Sequence, residues 1–458
     1  MDRKKQNMLT GSLWDKIILF ALPLAATGIL QQLFNAADIA VVGRFTGDLS
    51  SIAMAAVGTN SAIVNLIVNL FVGLALGANV VIATAIGMGD EDTIEKAVHL
   101  SVTFAITGGA AATILCELLA PYILGLIHVP PEVLPLATIY LRIYVAGLPV
   151  ILLYNFESAI FRAVGDTRTP LLMLALSGVI NVALNFLFVA GLHMTVDGVA
   201  TATVLSNLLC SLLLFRCLLR TPLPIRVQIR KLRIDWPVFR RILRIGIPAG
   251  VQTAVFSFAN ILIQSAVNTL DTIVMAASSA AGNVESFAYY LMSAFGQTCT
   301  TFVSQNNGAR QTARCKKAFG LCTLECILSL GLCVSLILVF GRQILSLFTR
   351  DTAVIETGYI RLVLILFSYA FSLLYDGTAG YLRGFGISFT PALLTTLGVC
   401  GVRIFWVYAV FPANPTFMTI MAVYPVSLSV TAVLMLCAML CLRPARRAEQ
   451  RVLAGSMS

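Results

Sequence analysis

Apolar residues run along this chain in stretches of twenty or more, separated by short polar or basic segments. Twelve such stretches can be read, roughly 13–42, 53–85, 95–118, 133–161, 170–190, 197–219, 243–269, 273–304, 317–340, 355–381, 390–410 and 417–442. A membrane-crossing helix needs about 20 mainly apolar residues, so each stretch predicts a span. Their internal prolines and glycines are compatible with helices whose neighbours satisfy the freed backbone groups. No segment between them is long enough for a soluble domain. The expected fold class is an all-α integral membrane protein of twelve transmembrane helices. The N-terminal segment has the look of a secretory leader, but Trp14-Asp15-Lys16 separates its basic start from an apolar run too long for one. It reads as a retained first span.

Composition narrows the class. Of 458 residues, 58% are hydrophobic and 11% charged, against about 25% charged in an average soluble chain. With a mean hydropathy of +0.90, this excludes a soluble enzyme, a disordered chain and a secreted disulfide scaffold. The eleven cysteines fall mostly in apolar runs without a C-x-x-C pair, and they read as small buried hydrophobes. The net charge of +10 points to a membrane face rather than to nucleic acid, because the chain is so apolar. With the N-terminus placed inside, twenty-five Lys and Arg fall in cytoplasmic segments and only Arg44, Arg342 and Arg350 in outer loops. This positive-inside bias predicts a multi-pass membrane protein with both termini cytoplasmic.

The chain repeats itself at an offset of about 220. Phe161-Arg-Ala-Val-Gly-Asp-Thr-Arg-Thr-Pro170 matches Leu382-Arg-Gly-Phe-Gly-Ile-Ser-Phe-Thr-Pro391, Gly87 matches Gly308, and Pro23 matches Pro248. The predicted organisation is an N-terminal lobe over 1–219, a basic cytoplasmic linker over 220–241 and a C-terminal lobe over 242–458. Each half holds an even number of spans, so both insert the same way up. Such parallel repeats occur in secondary transporters, with the site between or within the halves.

Polar residues at helical spacing mark interior faces, since lipid-facing positions are apolar. The first span carries Thr27, Gln31, Asn35 and Asp38; the second Ser61, Asn65 and Asn69; the fifth Ser177, Asn181 and Asn185; the sixth Thr203 and Asn207. The second half repeats the device with Asn260 and Gln264, then Glu285 and Tyr289, then Ser372 and Asp376. The structural alternative is polar glue between helices, worth about 0.6 kcal/mol per contact. A charged Asp at a helix centre costs about 2.5–3.5 kcal/mol, so Asp38, Glu285 and Asp376 are the candidates for function. Glu157 is expected to form an ion pair with Arg162, and Asp376 has Arg383 nearby. Phe34, Tyr289, Met292 and Phe295 read either as an adaptable pocket or as packing. Three scattered histidines (99, 128, 193) predict no metal site. No G-x-x-x-x-G-K-[ST] loop supports ATP-driven transport.

Several segments together resemble the multidrug and toxic compound extrusion (MATE) family, in its prokaryotic proton-coupled branch. They are PLAATGILQQLFNAADIAVVG from Pro23, the GMGD loop after the second span, FRAVGDTRTP, INVALNF with GVATAT, and LRGFGISFTP. The resemblance implies two six-helix lobes that rock between outward- and inward-open states. It also implies export of cationic, amphipathic compounds in exchange for protons or sodium. Asp38 matches the family's first-span aspartate, whose protonation is thought to bend that helix at the proline matching Pro23. Asn181 and Thr203 match polar partners of the N-lobe cation-coupling site. Asn185 stands where several members carry a second aspartate. Phe256 and Ser372 align with the acids of the sodium-driven branch, which favours a proton gradient over sodium.

The expected function is therefore proton-coupled multidrug antiport, not enzyme catalysis. Asp38, Asn181, Asn185 and Thr203 would form the coupling site. Gln31, Asn35, Asn65, Asn69, Asn260, Gln264, Glu285, Tyr289 and Asp376 would line the substrate cavity, and Pro23 would be the helix bend. No cofactor, no metal and no nucleic acid are expected; the partners are small cationic substrates and the lipid bilayer, with the protein a monomer. The runner-up is a flippase for a lipid-linked cell-envelope precursor. It needs a basic cavity, whereas the candidate charges are mostly acidic unless Arg142, Arg361 and Arg403 face inward. A membrane-embedded prenyl-group transferase needs a metal-binding acid cluster, and Asp90-Glu91-Asp92 reads as a solvated helix start.

Overall fold

The computed structural model describes residues 7–126 and 129–456. Arg3, Lys4, Lys5 and His128 lie outside the described residues, as does the side chain of Arg451. Among the described residues the chain is helical, without strands. The first half contains α1 (Trp14–Phe45), α2 (Ser50–Met88), α3 (Glu91–Leu126), α4 (Leu134–Ala146), α5 (Leu148–Ala163), α6 (Arg168–Asn185) and α7 (Val196–Arg220). The second half contains α8 (Trp236–Val267), α9 (Thr272–Gly308), α10 (Thr312–Ser346) and α11 (Thr352–Gly384). It continues with α12 (Phe389–Thr395), α13 (Val402–Phe405), α14 (Phe417–Met421), α15 (Val423–Leu442) and α16 (Pro444–Ser456). Ten segments are long and apolar enough to cross a membrane, and α4 with α5 make an eleventh. The twelfth predicted stretch is α9. Its 37 residues suffice in length, but it buries Ser278, Thr298, Thr300, Thr301, Ser304, Gln305 and Asn306, so it is more polar than its neighbours.

The fourth span departs from expectation, because it is two helices bent by 49° rather than one. The break falls at Gly147, and Pro149 follows with no N–H to continue the ladder. The eleventh span stays continuous but widens into π-helical turns at Thr396–Gly401 and Trp406–Val410, on either side of α13. The predicted linker also differs. Its last residues, from Trp236, already begin α8, and the rest is tied down: the Gln228 N–H donates to His99 Nε2 at 2.9 Å, and Lys231 pairs with Glu95 at 2.9 Å. The amphipathic α16, absent from the sequence reading, is held where Glu449 accepts from Thr312 and pairs with Lys316, both at 3.0 Å.

By packing, the chain forms two compact units. The N unit comprises Thr27–Ile82 and Asp90–Gly246; the C unit comprises Met1–Ala26, Ala83–Gly89 and Ile247–Ser458. Thus α1, α2 and α8 each contribute to both. The N unit is centred on Val42, Ala56, Leu141, Val145, Leu148 and Val199, and the C unit on Phe20, Phe295, Phe302, Cys299 and Leu362. Large apolar side chains such as Val179, Leu332 and Phe367 remain well exposed, as expected of surfaces that meet lipid tails. Helices in that medium associate by close packing rather than by the hydrophobic effect.

The internal repeat is visible in the backbone. Gly165 (φ 91°) and Gly386 (φ 79°) both turn the chain left-handed after a helix. In each turn the glycine N–H donates to an arginine carbonyl, Arg162 at 3.0 Å or Arg383 at 2.8 Å. The next N–H donates to Phe161 O or Leu382 O, at 3.0 Å in both, which is the double bond of a Schellman end. Gly89 (φ 71°) is likewise matched by Arg310 (φ 60°). The repeat-related Gly87 and Gly308 meet one another inside the C unit: a Cβ on Gly87 would collide with Gln305 O, and one on Gly308 with Thr84 O.

Two consequences follow for stability. Gly308→Leu is expected to destabilise the protein by about 1–3 kcal/mol or more, because backbone cannot yield as a side chain does. Arg310→Gly is expected to stabilise it by about 1 kcal/mol, through relief of a left-handed side-chain clash. Thermal unfolding of the detergent-solubilised protein checks both, and equal midpoints would contradict the packing argument.

Candidate functional site

In the N unit, α1, α6 and α7 bring four predicted residues into one cluster. Asp38 is buried, at 5% exposure. Its Oδ1 accepts from Asn185 Nδ2 at 2.6 Å, and its Oδ2 accepts from the Thr203 hydroxyl at 3.1 Å. Asn185 Nδ2 also reaches Asn181 Oδ1 at 3.3 Å. The spacing explains the meeting: Asn181 and Asn185 are one helical step of four apart on α6 and so share a face. Among the described residues Asp38 has no cationic partner, and its charge is met by neutral dipoles alone. The Thr203 hydroxyl lies 3.0 Å from Val199 O as well. A hydroxyl has one hydrogen and can also accept. It can therefore donate to an ionised Asp38, or accept from a protonated one while donating to Val199. Asn185 Oδ1 is buried without a hydrogen-bond partner, leaving an unused acceptor beside the carboxylate.

Asp38 opens on a cavity of about 60 Å³ lined by Asn35, Ile39, Val57, Ser61, Val64, Asn65, Tyr140 and Tyr144. That holds water but is far below the roughly 300–1,000 Å³ of a drug-sized site. Asn35 and Asn65 join Asp38 here as the polar stripes predicted; Asn69 and Gln31 are not among the lining residues. Tyr140 and Tyr144 were missed. They stack at 6.1 Å, and their i, i+4 aromatic spacing on α4 was the signal available. Pro23 lies inside α1, which runs through it without a break.

The C unit is different from what the acids suggested. Glu285 is not free: it pairs with Arg361 at 3.1 Å, with both side chains largely buried. Asp376 packs against α9 where Gly296 leaves room for its carboxylate, within electrostatic reach of Arg383. Arg383 itself donates to Gln252 Oε1 at 2.8 Å. Arg403 is 1% exposed. It donates to Asn260 Oδ1 at 2.5 Å, and its guanidinium lies 5.3 Å from the Phe256 ring centre and 4.8 Å from that of Tyr424. Tyr289 stacks on Phe256 at 6.4 Å. The expectation that the interior charges are mostly acidic is thus corrected, because Arg361, Arg383 and Arg403 are all buried in this unit. Arg142, by contrast, is half exposed and lies 3.6 Å from Glu117. Gln264 is exposed and donates to Asn268. Met292 and Phe295 are core.

Glu157 also departs from expectation. No ion pair joins it to Arg162 among the described residues; residues five apart project to different sides of a helix. Its Oε2 accepts instead from the Ser211 hydroxyl at 3.0 Å.

A helical membrane protein with repeated halves and a buried polar cluster in one of them has the architecture of a secondary transporter. The chain belongs to the MatE family, whose profile matches residues 23–187 and again 248–409, one match per half. It is 27% identical over 403 residues to the probable multidrug resistance protein YoeA of Bacillus subtilis, with 86% of each chain covered. It is 29% identical over 411 residues to the probable multidrug resistance protein NorM of Thermotoga maritima, covering 85% of this chain and 84% of the relative. A crystal structure of a MATE protein in the bent conformation shares the fold over 100% of both chains, with a TM-score of 0.85 and 21% identity. The protein is therefore a multi-pass membrane transporter of bacterial type from a multidrug-transporter family for small molecules.

Thr203→Val is expected to cost about 1.5–3 kcal/mol of stability, the range for a hydrogen bond to a charged group, while Thr203→Ser retains most of it. Thermal unfolding at neutral pH distinguishes the two; equal losses would mean that the methyl, not the hydroxyl, matters.

Proposed function

We propose that the protein is a secondary antiporter that exports cationic, amphipathic compounds in exchange for protons. It acts as a monomer in the plasma membrane, with both termini in the cytoplasm, as the distribution of Lys and Arg favours. The observation that carries this reading is Asp38: a buried carboxylate with neutral hydrogen-bond donors, no cationic partner among the described residues, and one side on a water-sized cavity. Such a group takes up a proton or a cation, and either occupant weakens the hold on the other. Competition of this kind couples the two ligands, typically by about 1–3 kcal/mol. Proton binding at Asp38 then favours the state that releases substrate outward, to the extent of its differential affinity for the two states.

The C unit supports protons over sodium. Phe256 stands where the resemblance places a sodium-branch acid, and a guanidinium lies over its ring. A second cation is disfavoured beside Arg403. The same arginines favour one alternative, export or flipping of a substrate that carries an anionic group, because Arg361 and Arg403 both point into the C unit.

Efflux of ethidium from drug-sensitive cells tests the proposal. Asp38→Asn, at equal surface expression, is expected to lower efflux by at least about fivefold, the smallest coupling effect of this kind. Wild-type efflux should be abolished by a protonophore and indifferent to replacement of sodium. Wild-type activity that survives the protonophore and requires sodium would overturn proton coupling. No efflux across a panel of cations would favour the anionic substrate, with Arg361 and Arg403 tested next.

A further inference from the structure

The N unit contains a second buried carboxyl group that the Asp38 site does not use. Glu157, on α5, is 0% exposed. Ser211 of α7 donates to its Oε2 at 3.0 Å, and Oε1 has no hydrogen-bond partner. No basic group of α2, α3, α6 or α7 pairs with it among the described residues. The titratable groups within electrostatic reach are Tyr154 of its own helix and Cys210 of α7. An ionised carboxylate in such surroundings is expensive, and groups so placed are neutralised instead.

Its position relative to Asp38 gives the burial a direction. On α7, Thr203, Asn207 and Ser211 follow at i, i+4 and i+8, one helix face spanning about 12 Å. Thr203 touches Asp38 at one end of that face, and Ser211 touches Glu157 at the other. Between them Asn207 Nδ2 donates to Thr203 O at 2.8 Å. On α6, which packs against α7, Asn185, Asn181 and Ser177 repeat the spacing, and all three are buried. The Ser177 hydroxyl donates to Leu174 O at 3.0 Å. Two carboxyl groups thus stand at the ends of one file of polar side chains inside a single unit. Glu157 is at the end nearer the Gly165 turn, the cytoplasmic side in the orientation proposed above.

We propose that Glu157 is a second proton-binding site of this transporter, placed between Asp38 and the cytoplasm. Buried with one neutral donor and no basic partner among the described residues, Glu157 is favoured in its protonated form. On release, that proton passes to water on the cytoplasmic side, and the carboxylate left behind keeps the Ser211 hydroxyl as donor. A proton leaving Asp38 then refills Glu157. This rests on the proton-coupled reading of Asp38 but names a different group.

Infrared difference spectroscopy of the full-length protein in lipid nanodiscs tests it without needing a substrate. Wild type minus Glu157→Gln at neutral pH is expected to show the carbonyl band of a protonated carboxylic acid, shifted in heavy water and preserved in Asp38→Asn. Ser211→Ala should move that band to higher frequency, as a carbonyl does on losing a donor. Raising the pH should make the band give way to carboxylate bands. Absence of the band throughout would overturn the proposal by showing Glu157 ionised. A band that neither exchanges with deuterium nor titrates would overturn it by showing a sealed structural acid. The outcomes separate from the parent reading: if Asp38→Asn retains protonophore-sensitive efflux, that reading fails whatever the spectrum shows. If Asp38→Asn abolishes efflux and the Glu157 band is missing, only the second site fails.

Discussion

A charge enclosed by a membrane protein must be balanced by an opposite charge or by oriented dipoles, and the two units of this chain meet that demand in opposite ways. In the N unit a carboxylate is held by an amide and a hydroxyl. In the C unit three guanidinium groups are buried, one against a carboxylate, one against an amide, and one against an amide and two aromatic rings. The difference decides what each can do. Breaking a buried ion pair leaves an uncompensated charge at a cost of about 3–5 kcal/mol, so Glu285 is committed to Arg361. Asp38 has no such commitment, and its charge is free to be cancelled by an arriving proton or cation.

That division is laid over a shared backbone. The two halves keep the same left-handed glycine turn after the helices ending at Ala163 and Gly384, with matching bonds. The pair Gly87 and Gly308 is used for mutual contact, where neither can gain a side chain. These are steric requirements, indifferent to what either half binds. The side chains that face inward carry no such constraint, and they have diverged: the first half surrounds Asp38 with asparagines and a threonine, whereas the second buries Arg361, Arg383 and Arg403. On this duplicated scaffold the carboxylate held by neutral dipoles at Asp38 lies in the N unit, and the buried guanidinium groups of Arg361, Arg383 and Arg403 give the C unit a different electrostatic character.

The spans were legible in the sequence because the bilayer imposes a length and an apolar content on each, and every predicted stretch has its helix. The bend at Gly147 was not, since a glycine and a proline inside a span read as tolerated until neighbouring helices are known. Asp38, Asn181, Asn185 and Thr203 were legible through helical spacing and through resemblance. The environment of Arg403 was not, because a single arginine in a span has no pattern, and only tertiary packing sets it beside Phe256 and Tyr424. Tyr140 escaped notice for a related reason: aromatic residues in spans are usually packing. Glu157 was assigned to Arg162 by proximity in sequence, and five residues along a helix turn the two side chains apart.

The Thr203 hydroxyl shows why this cluster suits exchange better than storage. With Val199 O on one side and Asp38 on the other, it has two acceptors for one hydrogen. Ionised Asp38 takes that hydrogen; protonated Asp38 supplies its own and releases the hydroxyl to the backbone. Neither form leaves the hydroxyl unsatisfied, so protonation does not have to disrupt the cluster to occur. The energetic difference between the two forms must then lie elsewhere around the carboxylate. It lies with Asn185, whose Nδ2 favours the charged form and whose unpartnered Oδ1 is the acceptor available to the neutral one. It lies also with the cavity at Asn35, Ser61 and Asn65, where a cation is welcome only while the charge remains. In the antiport proposed for this chain, proton and cation would compete for one group through different neighbours, and coupling would need that asymmetry, because a ligand shifts a conformational equilibrium only by its differential affinity for the two states.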